Sequence, residues 1–395
     1  MSNPLRFLEP PGRLAQGLAW VPVAHLAAVA VAGSLRQPAP PTARRDRRWV
    51  VLICAHDEAG IVAGVVRSAA ALEPSDGAAR VIVVADNCSD DTAGVARAAG
   101  AEVWERKDPE HPGKGHALHT SITRLLTEPG WDALLVLDAD AIVSPDFLRV
   151  MDARLEAGAE VVQAERRVVN GDLNLLTRLT VISSSSSNIL RPRARERLGL
   201  PSRLAGTGMV FSRAVLERSP WTATGLVEDV EQWLAFLRRG IRPRFETAVR
   251  CDDLMPETLA QATRQRERWA EGRKALLRQS ATSALRDAVR SGDAVTAESV
   301  ATELLAPTLA VTGAWVAASW ALRSAGKGRI DKPGLVQMAV IGGHLAAGLR
   351  AAEASPQTWA ALGMAPVAAA WKLRVVVRGR LGRLDAGWRG TRATD

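Results

Sequence analysis

Cysteine is scarce in this chain of 395 residues: only Cys54, Cys88 and Cys251, odd in number and widely spaced. That spacing carries no disulfide framework and no zinc-module pattern, and it suits a reducing compartment. Aromatic residues make up 4% of the chain, with no tyrosine. None is interleaved with basic residues in the manner of a nucleic-acid-binding motif. The net charge of +9 therefore reads as attraction to membrane lipids with anionic headgroups, with no nucleic acid as partner.

Charge of either sign is missing from residues 14–35, a run of 22 that is long enough to cross a bilayer as a helix. It is longer than the apolar region of a secretory leader and reads as a membrane anchor. A second uncharged run covers 304–322, and shorter ones cover 335–349 and 354–371. These alanine-rich segments could also be buried helices of a soluble domain, 335–349 above all. Arg36, Arg44, Arg45, Arg47 and Arg48 follow the first run; Lys372, Arg374, Arg378, Arg380, Arg383, Arg389 and Arg392 follow the last. The positive-inside bias puts both flanks, and the globular region between them, in the cytoplasm. Two full C-terminal spans with one interfacial or re-entrant segment fit that sidedness better than three spans. The expected organisation is an anchor over 1–36, a globular domain over 37–300, membrane segments over 301–375 and a basic cytoplasmic tail over 376–395. A multi-pass protein of the cell membrane follows from it.

Within 37–300, short apolar runs at 49–54, 80–85, 101–104 and 133–137 alternate with helical patterns. That predicts a parallel sheet with helices on its faces. Ligands of such sheets lie beyond the carboxyl ends of the strands, and three of these ends carry acids or amides. Asp57 and Glu58 follow the first run, Asp86 and Asn87 the second. They offer donors and acceptors to a uracil edge and a ribose. The same residue types serve as turn and helix-cap groups, Asn87, Ser89 and Asp90 in particular. The fourth run ends in Asp138-Ala139-Asp140. Residues i and i+2 of a strand share a face, so these carboxylates leave together and repel unless a cation sits beside them. Oxygen-only ligation suits Mg2+ or Mn2+ holding a diphosphate.

Lys114, between Gly113 and Gly115, places a point charge for phosphate where the backbone can approach closely, although the spacing is not that of a Walker loop. His111, His116 and His119 read as surface histidines. Residues 227–239 form an amphipathic helical pattern with Glu228-Asp229 in its first turn. The helix dipole there favours the ionised carboxylate that a general base requires; capping is the equally physical alternative. On a helix over 259–277, Gln265, Arg268 and Trp269 share a face. They supply an arginine for diphosphate and an indole platform for a sugar or acceptor. The serine run 183–187 reads as a polar helix face or an acceptor-side segment.

In this order the segments resemble family 2 glycosyltransferases, membrane-bound inverting enzymes with a GT-A nucleotide-sugar domain. Cys54-Ala55-His56-Asp57-Glu58 resembles that family's Pro-Ala-His-Asn-Glu, and Asp86 through Thr92 its second motif. Asp138-Ala139-Asp140 is similar to its metal motif, Gly206-Thr207-Gly208-Met209 to its acceptor-side loop, and Glu228-Asp229 to its Thr-Glu-Asp. Gln265 through Trp269 matches its Gln-x-x-Arg-Trp. Cys54, Asp57 and Val227 depart from the usual Pro, Asn and Thr. The tail, with Trp371-Lys372, Trp388-Arg389 and Thr391-Arg392, is similar to that of polysaccharide-synthase-like members. The membrane region is smaller than in the cellulose-synthase-like enzymes.

The resemblance implies an α/β GT-A domain with a mostly parallel central sheet, and transmembrane helices at both ends. It implies Asp229 as catalytic base, with Asp57, Glu58, Asp86, Lys114, Asp138 and Arg268 on the donor. Asp138 and Asp140 would hold Mg2+ or Mn2+; Gly206, Thr207, Gly208, Glu228, Gln265 and Trp269 would surround the acceptor. The expected reaction moves a sugar from a UDP-sugar to a hydroxyl of a lipid or glycan acceptor at the cytoplasmic membrane face. A processive polysaccharide synthase and a catalytically silent membrane scaffold are the alternatives.

Overall fold

The computed structural model describes residues 4–37, 39, 47–72 and 79–380; Arg44, Arg45 and the expected basic tail beyond residue 380, with Arg383, Arg389 and Arg392, lie outside them. The described chain falls into two units, one drawn from Met1–Arg36, Gly171–Leu198 and Leu305–Arg383, the other from Gln37–Asn170 and Gly199–Leu304.

The second unit is built on an eight-stranded sheet: β1 (Trp49–Ala55), β2 (Arg80–Asp86), β3 (Glu102–Arg106), β4 (Ala133–Asp138), β5 (Ala141–Val143), β6 (Val161–Val168), β7 (Met209–Ser212) and β8 (Arg244–Asp253). All four apolar runs read from the sequence are strands. Their order is β3-β2-β1-β4-β7-β6-β8-β5. β1, β2, β3 and β4 pair in parallel, as do β6 and β8, whereas β7 runs antiparallel to both its neighbours and β5 antiparallel to β8. The sheet is therefore mixed, with its parallel half where the sequence predicted one.

Those central strands read as unbroken apolar runs because both their faces are covered. Val50, Leu52, Leu134 and Val136 point to one side, with Leu118, Ile122, Trp233 and Phe236 of the helices Lys114–Thr127 and Glu228–Arg238. Val51, Ile53, Leu135 and Leu137 point to the other, with Val62, Val66, Phe147 and Met151 of the helices Val62–Ala70 and Phe147–Glu156. From β1 the chain steps outward to β2 and β3, then returns to β4 on the opposite side of β1. That reversal leaves a crevice at the carboxyl ends of β1 and β4, the place where open α/β sheets bind ligands. Cys54 stands opposite Asp138 in the register.

The first unit is helical. Helix Glu9–Ser34 packs beside Leu309–Lys327, Lys332–Ala351 and the segment 175–197. Among the described residues one helix, Arg6–Ser34, is long and apolar enough to cross a membrane, or two if a broken helix pair counts as one span. The interior of this unit combines small apolar clusters, such as Ala19, Val23 and Val316, with buried polar groups. Fully buried Asp331 accepts from Gln16 Nε2 at 2.5 Å, Lys327 Nζ at 2.6 Å and the Gly334 N–H at 3.0 Å, with Arg323 Nε at 3.1 Å. His344 bridges Ser186 Oγ at 2.6 Å and Leu26 O at 3.0 Å. The serine run thus has a structural use: Ser186 meets His344, and Gly348 leaves room for Ser185, whose Oγ would lie 3.0 Å from a Cβ there.

Removing one member of a buried ion cluster leaves uncompensated charge. Asp331→Ala is expected to destabilise this unit by about 3–5 kcal/mol, read as a lowered thermal unfolding midpoint of the detergent-solubilised chain; an unchanged midpoint would contradict the cluster's stabilising role.

Candidate active site

Lys114 lies at the centre of the crevice. Gly113, with φ of +110°, turns the chain into the helix that Lys114 begins, and its N–H donates to Asp86 Oδ2 at 3.2 Å. Lys114 Nζ donates to Asp138 Oδ1 and, at 2.5 Å, to the carbonyl of Gly206; Glu228 Oε1 is 3.8 Å away. Burial alone would lower the lysine's pKa, yet Asp138 and Glu228 hold it above the usual range. Asp229 is on the same side: a Cβ added to Gly206 would lie 3.6 Å from Lys114 Nζ and 3.7 Å from Asp229 Oδ2. Burial pushes the Glu228 carboxyl up to about 7, against the pull of Lys114 and with the help of Asp229.

The loop 205–208 is fastened from beneath. Asp138 N–H donates to Thr207 Oγ1 at 3.0 Å, and Thr207 is fully buried. Its side chain therefore faces the sheet, whereas the sequence reading put it beside an acceptor. Gly208 has φ of +65°, and a Cβ there would meet Cys251 Cβ at 2.8 Å. Gln163 accepts from the Ala205 N–H and donates to Thr207 O, each at 2.9 Å. Arg166 ties the Ala205 carbonyl to the Asp253 carboxylate.

At the neighbouring strand ends, Asp86 is buried and its oxygens are already engaged, by Arg106 Nη1 at 2.6 Å and Asn87 Nδ2 at 3.1 Å besides Gly113. It anchors the lysine loop as well as bordering the crevice. Asn87 pairs with both backbone groups of Asp108, and Asp90 caps Thr92 N at 3.0 Å, so the turn reading describes these two. Asp57, with φ of +53°, accepts from Ser89 and Asp90 and closes the β1 loop onto the β2 loop; Glu58 N–H donates to Thr92 Oγ1 at 2.8 Å. Gln265, Arg268 and Trp269 lie on helix Leu259–Leu276, with Trp269 40% exposed. One turn beyond Arg268, a Cβ on Gly272 would meet Val227 Cγ1 at 2.9 Å, so this helix abuts the residue before Glu228.

The donor set fits a hard divalent ion. Asp138 and Asp140 bracket the turn from β4 to β5, and Asp253 stands opposite Ala141 in the next ladder. Asp253 is buried with Oδ1 unpartnered, and burial raises its pKa against the pull of Arg166. A buried, unpartnered oxygen on Asp253, whose carboxylate feels the charge of Asp138, suits oxygen-only ligation of Mg2+ or Mn2+. Arg166, Gln163, Arg106 and Asp253 escaped the sequence reading. Only the Asp252-Asp253 pair at a strand end resembles the signal that found Asp138 and Asp140.

Residues 47–272 match the family model described as glycosyltransferase like family 2. The probable glycosyltransferase YdaM of Bacillus subtilis (strain 168) is 27% identical over 235 residues, 56% of this chain and 54% of that one. The poly-beta-1,6-N-acetyl-D-glucosamine synthase of Staphylococcus aureus (strain COL) is 27% identical over 202 residues, 49% of this chain and 47% of that one. The chain spans about half the length of these relatives. Among solved structures, the mannosyltransferase PcManGT from Pyrobaculum calidifontis, in complex with GDP-Man and Mn2+, matches with a TM-score of 0.59 at 18% identity, over 96% of this chain and 99% of that one. That likeness is one of fold, α/β of the GT-A kind.

The raised Glu228 pKa has a consequence for stability. Between the ordinary value of 4.5 and about 7 the native state keeps a proton that the unfolded chain has released. Stability contributed by protonated Glu228 is therefore lost as pH rises through that window and is constant above it. The melting temperature of the native chain relative to Glu228→Gln should fall across this window; parallel curves would refute the shift.

Proposed function

The chain belongs to glycosyltransferase family 2, and from that premise we propose that it moves one sugar from a UDP-sugar to a hydroxyl of a lipid or glycan acceptor, with inversion, at the cytoplasmic face of the cell membrane. The observation that carries this is the convergence of Asp138, Lys114, Glu228 and the Asp229 carboxylate on Gly206, at the point where the strand order reverses. Asp57, Glu58 and Asp86 border the nucleoside end, at the ends of β1 and β2. Lys114 and Arg268 face the diphosphate, whose growing negative charge they offset. When bound by Asp138 and Asp140, Mg2+ or Mn2+ supplies Lewis-acid stabilisation of the leaving diphosphate.

Asp229 accepts the proton of the acceptor hydroxyl. That oxygen forms its bond to the anomeric carbon on the face opposite the diphosphate, and the electron pair of the breaking carbon–oxygen bond leaves with the diphosphate. Gly206 lets the backbone approach the acceptor closely, Gly208 leaves room for Cys251 beneath the loop, and Thr207 holds that loop to Asp138. Glu228, whose carboxyl pKa is raised by burial, lies beside Lys114 and balances the charge there. Gln265 and the exposed Trp269 form the acceptor platform.

The helical unit supports the membrane part of the proposal, with transmembrane helices at both ends of the chain. Its buried positions include Gln16, Ser186, Asp331, Gln337 and His344, while Leu14, Leu18, Val21, Val31 and Val336 are exposed. Hydrogen-bonded polar groups inside, such as Asp331 and His344, together with apolar side chains outside suit a bilayer solvent. The domain limits proposed are 1–36, 37–300, 301–375 and 376–395. A second reading, a processive synthase, draws on the Staphylococcus relative; GDP-mannose enters as a second donor because the solved neighbour holds it.

The test is nucleotide release by the purified chain with UDP-sugars and GDP-mannose, a membrane-lipid extract, and Mn2+, Mg2+ or EDTA. Release with one donor, abolished by EDTA and lowered at least ~10²-fold by Asp229→Asn with nucleotide binding retained, is the expected result. Undiminished turnover in that variant would remove Asp229 as base. No metal-dependent release with any donor would favour the scaffold. Gly272→Val pushes on the segment before Glu228 and is expected to cost on the order of 10²-fold in turnover without loss of fold by circular dichroism; native turnover in this variant would show that the contact does not position Glu228 and Asp229.

A further inference from the structure

We propose that His56, Asp57 and Cys88 form a second metal site, selective for a borderline-soft divalent ion of the Zn2+ class, beside the ends of β1 and β2. One ligand atom from each of these residues lies within 4.8 Å of the other two, and among the described residues no other group of three or more His, Cys, Asp or Glu side chains meets that condition. The motif readings leave His56 and Cys88 without a task.

The chemistry of each donor is set by its neighbours. His56 Nδ1 is 2.7 Å from the carbonyl of Asp86. A carbonyl can only accept, so Nδ1 carries the proton and Nε2 carries the lone pair, the arrangement in which histidine ligates metals. Nε2 lies 3.7 Å from Asp57 Oδ2. Two donors at ~2.1 Å from a shared Zn2+ are separated by that distance when the angle at the ion is about 125°, so a small side-chain rotation reaches tetrahedral geometry. The Asp57 carboxylate is already oriented: Oδ1 accepts from the Ser89 and Asp90 N–H groups at 2.6 and 3.3 Å, and Oδ2 from Ser89 Oγ at 3.0 Å. Cys88 is partly exposed; its sulfur makes long contacts, 3.7 Å to Ala55 O and 3.9 Å to Asp86 O, and hydrogen bonds with the Thr92 side chain and the Asp57 backbone favour its thiolate.

Imidazole, thiolate and one carboxylate with a fourth position open to water is a Zn2+ donor set, whereas the carboxylates at Asp138 and Asp140 suit Mg2+ or Mn2+. The two sites thus divide divalent ions by softness. Binding takes the Cys88 thiol proton into solvent, one proton per ion. It also places a cation, its water and a reoriented Asp57 where the nucleoside end of the donor would lie. Zn2+ therefore acts as an inhibitor competing with the nucleotide, a consequence that rests on the donor placement proposed above.

Co2+ as a spectroscopic substitute tests the site without reference to activity. Titrating the full-length chain, with Mg2+ present to occupy the carboxylate site, should give one equivalent of tetrahedral Co2+ with a thiolate charge-transfer band, displaced by Zn2+. The band should vanish in Cys88→Ser, which keeps both other thiols, and His56→Ala should weaken Co2+ binding at least ~10-fold. Thermal melts of both variants establish that they fold. No thiolate band in the native chain, or an unchanged band in Cys88→Ser, overturns the site. UDP binding is measured in parallel by calorimetry, with and without Zn2+. Weaker UDP binding with Zn2+, lost in Cys88→Ser, supports the competition. Co2+ bound with UDP binding untouched would keep the metal site and overturn the inhibition, and with it the placement of the nucleoside at β1 and β2.

Discussion

A single ammonium group sets the geometry of the crevice. Lys114 Nζ is shared by the carboxylate of Asp138 and the carbonyl of Gly206, and Glu228 completes its surroundings. These groups come from four separate stretches of sequence, so their spacing is fixed by the sheet and by this one cation. Taking a lysine out of water costs several kcal/mol unless its partners compensate. Here the partners are the residues on which the proposed chemistry depends. The arrangement makes the charge of the site interdependent: Lys114 keeps Asp138 in place, and Glu228 rises to about 7 because it is buried and Asp229 adjoins it.

A layer of residues outside the reacting groups supports that geometry. Gly113 is held by Asp86, which is itself held by Arg106. Gly115 lies so close to the 223–224 backbone that a Cβ would sit 2.7 Å from Thr224 Cα, and Gly272 does the same against Val227. The glycines bring two helices onto the segment before Glu228 at backbone distance. Gln163 and Arg166 fix the loop before Gly206 from the other side. Sites supported in this way hold their groups within a fraction of an ångström.

How much of this was legible follows from burial. The first four strands were readable because both their faces are covered, leaving unbroken apolar runs such as 133–137. β7 is four residues long, and β8 mixes Arg244, Glu246, Arg250, Asp252 and Asp253 with its apolar positions, so neither stood out. Asp138, Asp140, Lys114 and Glu228-Asp229 were legible as charges at element ends, and the fold brings Asp138, Lys114, Glu228 and Asp229 together. Thr207 and Asn87 were not separable from ligand groups by sequence, because a buried hydroxyl on a neighbouring N–H and an amide mimicking a turn have the same residue types as a binding loop. Arg166 and Gln163 lie on a strand that only the three-dimensional pairing brings under the Gly206 loop.

The helical unit packs through polar and small residues as well as apolar ones. Lys332–Ala351 carries Gly334, Gln337, His344 and Gly348 on its buried face, and the two polar ones donate to or bridge carbonyls of helix Glu9–Ser34. A Cβ on Gly334 would meet Trp320 at 2.5 Å, so the small residues are there to let helices approach. Each feature lowers the mean hydropathy of the segment, yet each is a device by which helices associate where lipid offers no hydrophobic driving force. Of its apolar residues Leu335 and Val336 are exposed, whereas Leu349 is fully buried and Met338, Val340, Ile341 and Leu345 pack against buried neighbours. Small apolar clusters and buried polar pairs thus hold this unit together side by side, so its cohesion depends on packing at close range and not on hydropathy alone.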